Sequence, residues 1–352
     1  MPKATIDDVA KLAGVSIKTV SRVVNQEPNV REATRSRVEA AIAELNYRPN
    51  LSARNLASLR SHLIGLIYDD PSAYEIPSAG YVIRMQLGAL RACHSANYEL
   101  LIHPCNYNSR KIGNEIKALI ERARPDGIIL AAPLSNAPRI VRAIEATGTP
   151  CVRISPGSDS GTQYSVGTND REISAKMTRY LASLGHKRIA FIKGHPEHKA
   201  VGNRYLGYLE GLEQTGIAFD ESLVAAGDNS FEAGESCGKR LLELRDPPTA
   251  IFAANDDMAA GVLRAADLLG VDVPGQLSLA GCDDISLARQ LCPTLTTIRQ
   301  PLSAMAEEAA RLLIGESRNQ PGEHPIVIVP ATIKIRESTG PAPGWVPPDR
   351  GT

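Results

Sequence analysis

Residues 16–25, SIKTVSRVVN, concentrate side chains that could do non-covalent chemistry. Ser16, Thr19, Ser21 and Asn25 are short donors of the kind that grip phosphate oxygens. Lys18 and Arg22 are long cations four residues apart, so a helix would present both on one face. There they can reach guanine edges in a major groove, and Ile17 beside them can touch a thymine methyl. Val20, Val23 and Val24 fall on the other side and require a core. A merely solvated face would account for the two cations but not for so many short donors beside valines. The pattern implies contact with a polyanion whose base edges are read.

Covalent chemistry finds no comparable support. No strand-like run leads into the G-x-G-x-x-G of a dinucleotide site, and no strand end carries a G-x-S-x-G nucleophile turn. The nearest approach to a phosphate loop is GESCGKR, residues 234–240. It is one residue short, lacks the hydroxyl for Mg²⁺ and falls inside an expected helix. His195 and His198, in HPEH, suggest a metal pair. However, Pro196 disturbs helical geometry and no third ligand is evident, so the segment reads as a loop at a pocket rim. No enzyme activity, cofactor or metal is expected.

The elements that must position these residues fall into two parts. In the first, Thr5 and Asp8 form a capping box that opens a helix over 6–13, and Gly14 ends it. Ser16 caps a second helix, and Pro28 breaks the pattern. A third helix is expected over 32–46, from the spacing of Val38, Ala41, Ile42 and Leu45, with Pro49 closing it. A helix, a glycine turn and a second helix opening on a small polar residue make a helix-turn-helix pattern. Residues 50–60, NLSARNLASLR, have little to bury and read as a linker that becomes helical against a partner.

From Leu63 the rhythm changes to apolar strands alternating with amphipathic helices: LIGLIY, YELLIH, GIILAA, PCVRIS, YSVGT, RIAFIK, SLVAAG, AIFAAN and LSLAGC. Such runs with helical crossovers argue parallel sheets covered on both faces. Eight or nine units exceed one mononucleotide-sized sheet, so two are expected. Residues 339–352, TGPAPGWVPPDRGT, are Pro/Gly-rich and expected to be disordered. They carry no leucine heptads for oligomerisation.

A chain of 352 residues suggests two or three domains. The net charge is zero, yet residues 1–60 hold ten Lys/Arg against six Asp/Glu, so a basic head precedes a slightly acidic remainder. Six scattered cysteines without a C-x-x-C pair fit reduced thiols and a cytoplasmic setting. The opening MPKATIDDVA has no apolar signal region, and no apolar run approaches the ~20 residues of a membrane helix.

These pieces resemble a known family. TIDDVAKLAGVSIKTVSRVVNQ, TRSRVEAAIAELNYRPN and LSARNLA before LIGL look like the DNA-binding head of the lactose-repressor (LacI/GalR) family, over residues 5–66. RPDGIIL, LGHKRIAFIKG, NRYLGYLEGL, AIFAANDDMAAGVL, LSLAGCDD and PTLTTIRQP resemble that family's periplasmic-binding-protein-like core, so the likeness spans nearly the whole chain. The implied architecture is an all-α helix-turn-helix head (1–49), a hinge (50–61), and a tail (339–352). Between hinge and tail lies a two-lobed α/β core of doubly wound parallel sheets (62–338). The resemblance puts Ile17, Lys18 and Arg22 at base-reading positions. It puts Thr5, Ser16, Thr19, Ser21, Asn25 and Tyr47 at phosphate or register positions. Leu56 takes the place of a leucine that wedges into the minor groove, flanked by Ala53 and Asn55.

For the core, the resemblance places a ligand between the lobes, facing Asp69, Arg204, Phe231, Asn255, Asp283 and Gln300. Asp70, Tyr74, His103 and Arg153 are weaker candidates. Carboxylates and amides suit vicinal hydroxyls, Arg204 can span two oxygens, and Phe231 would offer a flat face to a pyranose. Helix capping or turn formation would explain Asp283 or Asn255 singly, whereas their joint placement at strand ends favours a ligand. The expected function is a ligand-controlled, homodimeric transcriptional regulator on a pseudo-palindromic double-stranded operator. A repressor of carbohydrate-use genes released by a sugar is favoured. A purine or nucleoside corepressor, a sugar-binding protein without a DNA role, and an enzyme on an α/β scaffold are the alternatives.

Overall fold

The computed structural model describes residues 4–24, 29–47, 60–69, 80–157, 164–315 and 326–345. The chain divides into two compact units, residues 1–61 and 62–352.

The head unit contains α1 (Ile6–Ala13), α2 (Ile17–Val24) and α3 (Glu32–Glu44). Thr5 starts α1 through the capping box: its Oγ1 accepts the Asp8 N–H at 3.3 Å, and its own N–H donates to Asp8 Oδ2 at 2.9 Å. Gly14 ends α1 with φ 62°, a left-handed conformation that a side chain disfavours. Ser16 Oγ then accepts the Thr19 N–H at 3.2 Å and opens α2. Val9, Ala10, Ala13, Val20, Val23, Val38 and Ala41 form a dry core. Each fully buried valine contributes about 1.5–3 kcal/mol, enough to fix three short helices that would be marginal alone.

The body unit opens with β1 (Leu63–Asp69), α4 (Gly80–Ser95), β2 (Glu99–Cys105), α5 (Ile112–Ala123), β3 (Gly127–Leu130), α6 (Pro138–Glu145), β4 (Cys151–Ile154) and β5 (Tyr164–Gly167). It continues with α7 (Asp170–Ser183), β6 (Ile189–Lys193), α8 (Lys199–Gln214), β7 (Val224–Ala226), α9 (Phe231–Leu242), β8 (Ala250–Ala253), α10 (Asp256–Leu269), β9 (Ser278–Asp283) and β10 (Thr296–Arg299). Helix α11 (Leu302–Ile314) and two short strands, β11 (Ile326–Ile328) and β12 (Thr332–Lys334), complete it.

Two six-stranded sheets result, in the orders β11-β5-β4-β3-β1-β2 and β12-β10-β9-β8-β6-β7. All pairings are parallel except β10 with β12. The chain passes from one sheet to the other after β5, after β10 and after β11, so each lobe is stitched to its neighbour. Both faces of the first sheet are covered. Ile64, Leu66 and Ile129 pack with α4 and α11, while Ile67, Ile128 and Leu130 pack with α5 and α6. The second sheet's core centres on Phe191, Tyr208 and Phe252.

The sequence motif GESCGKR proves to be packing. Gly234 lies on α9, where a Cβ would stand 2.2 Å from Met258 O on α10. Its first five residues do spell G-x-S-x-G, but they lie within a helix and not at a strand-to-helix turn.

The C-terminal expectation needs correction: residues 339–345 are ordered against the second lobe. Gly340 N–H donates to Ser278 Oγ at 2.9 Å, and Ala342 N–H donates to Leu184 O at 2.8 Å. Trp345 sits so close over Gly185 that a Cβ there would clash with its ring. The remainder of the expected tail, 346–352, lies outside the described residues, as does the hinge stretch 50–59.

Candidate functional site

On the head, helix α2 divides as its sequence suggests. Val20 and Val23 are buried, and Ser16, Ile17, Lys18 and Arg22 are exposed. Thr19 and Ser21 are half-buried at the boundary. Ile17 is 47% exposed, an apolar side chain held on a polar face where it contributes nothing to the core. Ser16 Oγ and Thr19 Oγ1 are 2.9 Å apart. Thr5 is exposed at the start of α1, and Tyr47 packs partly against the head core. Asn25, Ala53, Asn55 and Leu56 lie outside the described residues.

In the body, a cleft of about 430 Å³ opens between the carboxyl ends of the two sheets. That is where an open parallel sheet binds ligands, because strand ends and helix starts converge there. The first lobe supplies Tyr68, Asp69, Tyr81 and Tyr107, and the second supplies His195, His198, Arg204, Asp228, Asn229, Asn255 and Asp283.

Arg204, 3% exposed on α8, organises the floor. Its Nε donates to Asp170 Oδ1 at 2.9 Å and its Nη1 to Ala254 O at 2.6 Å, with Asp283 Oδ1 3.7 Å away. Asp283 also accepts from Gln300 Nε2. Its backbone has φ 120° and Asp284 follows at 53°, unfavourable for side-chain-bearing residues and tolerated only where surroundings enforce it. Asp284 is enforced in turn by Arg299 and Arg336. Asn255 caps α10 through Met258 N–H at 3.0 Å and donates to Asn229 O at 2.9 Å. Asp69 Oδ1 accepts the Tyr107 N–H at 2.7 Å. Across the cleft, Arg84 of α4 reaches Asp283 O at 3.3 Å, and Lys199 N–H reaches Asn136 Oδ1 at 2.9 Å.

Burial governs the ionisation of these groups. It pushes the Asp283 carboxyl up to about 6, although Arg204 and Gln300 favour its charged form. It pushes His198 down to about 3, so this imidazole is neutral. Burial also opposes the charge on Arg204, but the Asp170 and Asp283 carboxylates more than offset it and the guanidinium stays protonated.

The structure thus brings together Asp69, Arg204, Asn255 and Asp283. Gln300 is 2% exposed and stands behind Asp283, holding it, outside the cleft lining. Phe231 begins α9 after the Ser230 cap, and Asp228 and Asn229 just before it line the cleft. Arg153 is buried and donates to Ser135 O at 2.8 Å, and His103 sits in β2; neither lines the cleft. Asp70 and Tyr74 lie outside the described residues. Tyr81, His198 and Asn229 were not among the expected ligand residues. A signal existed for His198 and Asn229, which sit in the polar loops after β6 and β7. Among the described residues no acidic, histidine or cysteine cluster could hold a metal, and no helix is long and apolar enough to cross a membrane.

Comparison with known proteins agrees with both halves. Residues 5–50 match the family described as bacterial regulatory proteins, lacI family, and residues 178–339 match the periplasmic binding protein-like domain. The HTH-type transcriptional regulator GalR of Escherichia coli (strain K12) is 34% identical over 319 residues, covering 90% of each chain. Among solved structures, the lac repressor dimer bound to operator and the anti-inducer ONPF is 26% identical with a TM-score of 0.79, covering 96% of this chain and 99% of that one. The transcriptional regulator CelR–cellobiose complex is 28% identical with a TM-score of 0.72, covering 95% and 99%. A helix-turn-helix head with an exposed second-helix face, two parallel-sheet lobes around a cleft, and relatives matching nearly end to end place this chain in the LacI family of bacterial regulatory proteins.

Proposed function

We propose that this protein is a cytoplasmic, non-enzymatic repressor of carbohydrate-use genes that leaves its operator when a sugar fills the interlobe cleft. Ile17, Lys18 and Arg22 read bases, and Thr5, Ser16, Thr19, Ser21, Asn25 and Tyr47 fix the head on phosphates. Leu56, with Ala53 and Asn55, wedges the minor groove. Two copies bind a pseudo-palindromic site, and the exposed stripe Ile83, Leu87 and Leu90 on α4 is the apolar surface a second copy would cover.

The observation that carries the sugar reading is the convergence on one cleft of Asp69 and Asp283 from the ends of β1 and β9, Asn255 from the N-cap of α10 and Arg204 from the second turn of α8. Carboxylates and an amide held this way suit vicinal hydroxyls, and Tyr68, Tyr81 and Tyr107 supply flat apolar faces. The sugar acts by preferring one lobe arrangement over the other, because a ligand with equal affinity for both would shift nothing. Calorimetric titration of the full chain with pentoses, glucosides and purines tests this. A saccharide that binds and also weakens operator binding supports it, whereas binding of purines alone replaces the sugar with a corepressor.

A further inference from the structure

We propose that the cleft takes an uncharged, hydroxyl-rich saccharide and rejects the uronate and phosphate forms of the same sugar; this rests on reading the body as a saccharide receptor. Three carboxylates, Asp69, Asp228 and Asp283, line the cleft against a single guanidinium, Arg204. That guanidinium is not waiting for an anion. Its Nε holds Asp170, its Nη1 holds Ala254 O, and Asp283 lies 3.7 Å away. His198 supplies no countercharge, because burial, with the Arg204 guanidinium nearby, keeps its imidazole neutral, and His195 Nδ1 is already engaged, accepting the Glu197 N–H at 3.2 Å. An anionic ligand would therefore enter a low-dielectric site facing like charges, with no lysine and no second arginine among the described residues that line it, an arrangement that excludes by repulsion.

The hydrogen-bonding groups point the same way. Tyr81 Oη, His198 Nδ1 and Asn229 Oδ1 are buried without a partner among the described residues, and all three residues line this cleft. Asn229 Oδ1 and the carboxylates only accept, so the ligand must bring donors. Tyr81 and a neutral His198 can accept or donate according to rotamer and tautomer. A hydroxyl does both; a carboxylate or phosphate dianion offers acceptors only. Orphaned buried polar atoms are costly, so the ligand that satisfies them is the one favoured.

The test is titration calorimetry of the full chain against matched sets: neutral mono- and disaccharides, their uronic acids and their 6-phosphates. The best neutral sugar should bind at least tenfold more tightly than its own uronate or phosphate. Asp228→Asn, which keeps the acceptor oxygen but removes a charge, should narrow that gap. A uronate or phosphate binding as tightly as its neutral parent overturns the inference while leaving the saccharide reading intact, and so does a gap that Asp228→Asn leaves unchanged. If no saccharide binds and a purine does, the saccharide reading fails and takes this inference with it.

Discussion

Lys18 and Arg22 stand exposed on α2 of the head, whereas Arg204 and Asp283 of the body are 3% and 6% exposed and each already holds protein partners. The head presents its candidate side chains on an exposed helix face, separate from the valines that fold it. The body gathers its candidate ligand groups in a concave cleft, where they also hold the lobe together. Exposed charges can be exchanged at little cost in stability, but they act through solvent and are weakened by salt. Buried charges are strong and selective, but only while every partner is present. Substitutions should therefore separate function from folding in the head and fail to do so in the body.

The largest effect should follow Arg204→Ala, which leaves Asp170 and Asp283 buried without their cation. Breaking such a group costs about 3–5 kcal/mol, so chemical denaturation should show a destabilised body as well as a lost effector response. A body of unchanged stability would erase the contrast. Next in size, Lys18→Ala should cost ~1–3 kcal/mol at one or two operator base pairs while leaving thermal unfolding unchanged. Binding measured across single-base operator variants decides this, since a uniform loss would make Lys18 a phosphate contact.

A pH titration sharpens the comparison further. The Asp283 carboxyl is pushed from its ordinary 3.8 to about 6 by burial. Through this group the free body is most stable below about 3.8 and loses that contribution as pH rises through about 6. A sugar hydroxyl donating to the ionised carboxylate has the opposite preference. Effector affinity should thus fall by up to about tenfold per pH unit below 6, with no matching change in the head's operator contacts. The smallest effect should come from Thr5→Ala, which removes the α1 cap and costs about 1 kcal/mol of head stability, read as a shift in head unfolding.

Legibility follows the same divide. Helix α1 occupies the expected 6–13, because a cap, a terminator and an apolar face are local signals. Strands β1 to β9 were equally plain as apolar runs. Strands β11 and β12 were not, since three residues such as Thr332–Lys334 pair only because distant β10 offers an edge. Residues 339–345 have the composition of a tail yet borrow backbone partners from Ser278 and Leu184, which no local pattern announces. Asn229 escaped notice for a related reason. Its turn, at φ 78°, is held by the distant Asn255 amide on its carbonyl, and that long-range contact sets it on the cleft lining just before Phe231 opens α9. The roles assigned to exposed α2 residues need only a helix to be read, whereas a cleft needs the meeting of strand ends far apart in sequence.

The most direct test joins the two regions. The full chain would be used to select binding sites from random duplex DNA, and its anisotropy titration on the enriched site repeated with and without neutral saccharides. The account predicts a two-fold symmetric site and a saccharide that lowers affinity for it, with the response abolished by Asp283→Ala and the base preference altered by Lys18→Ala. Enrichment of no sequence, or an enriched site whose affinity no saccharide changes although one binds the body, would contradict it.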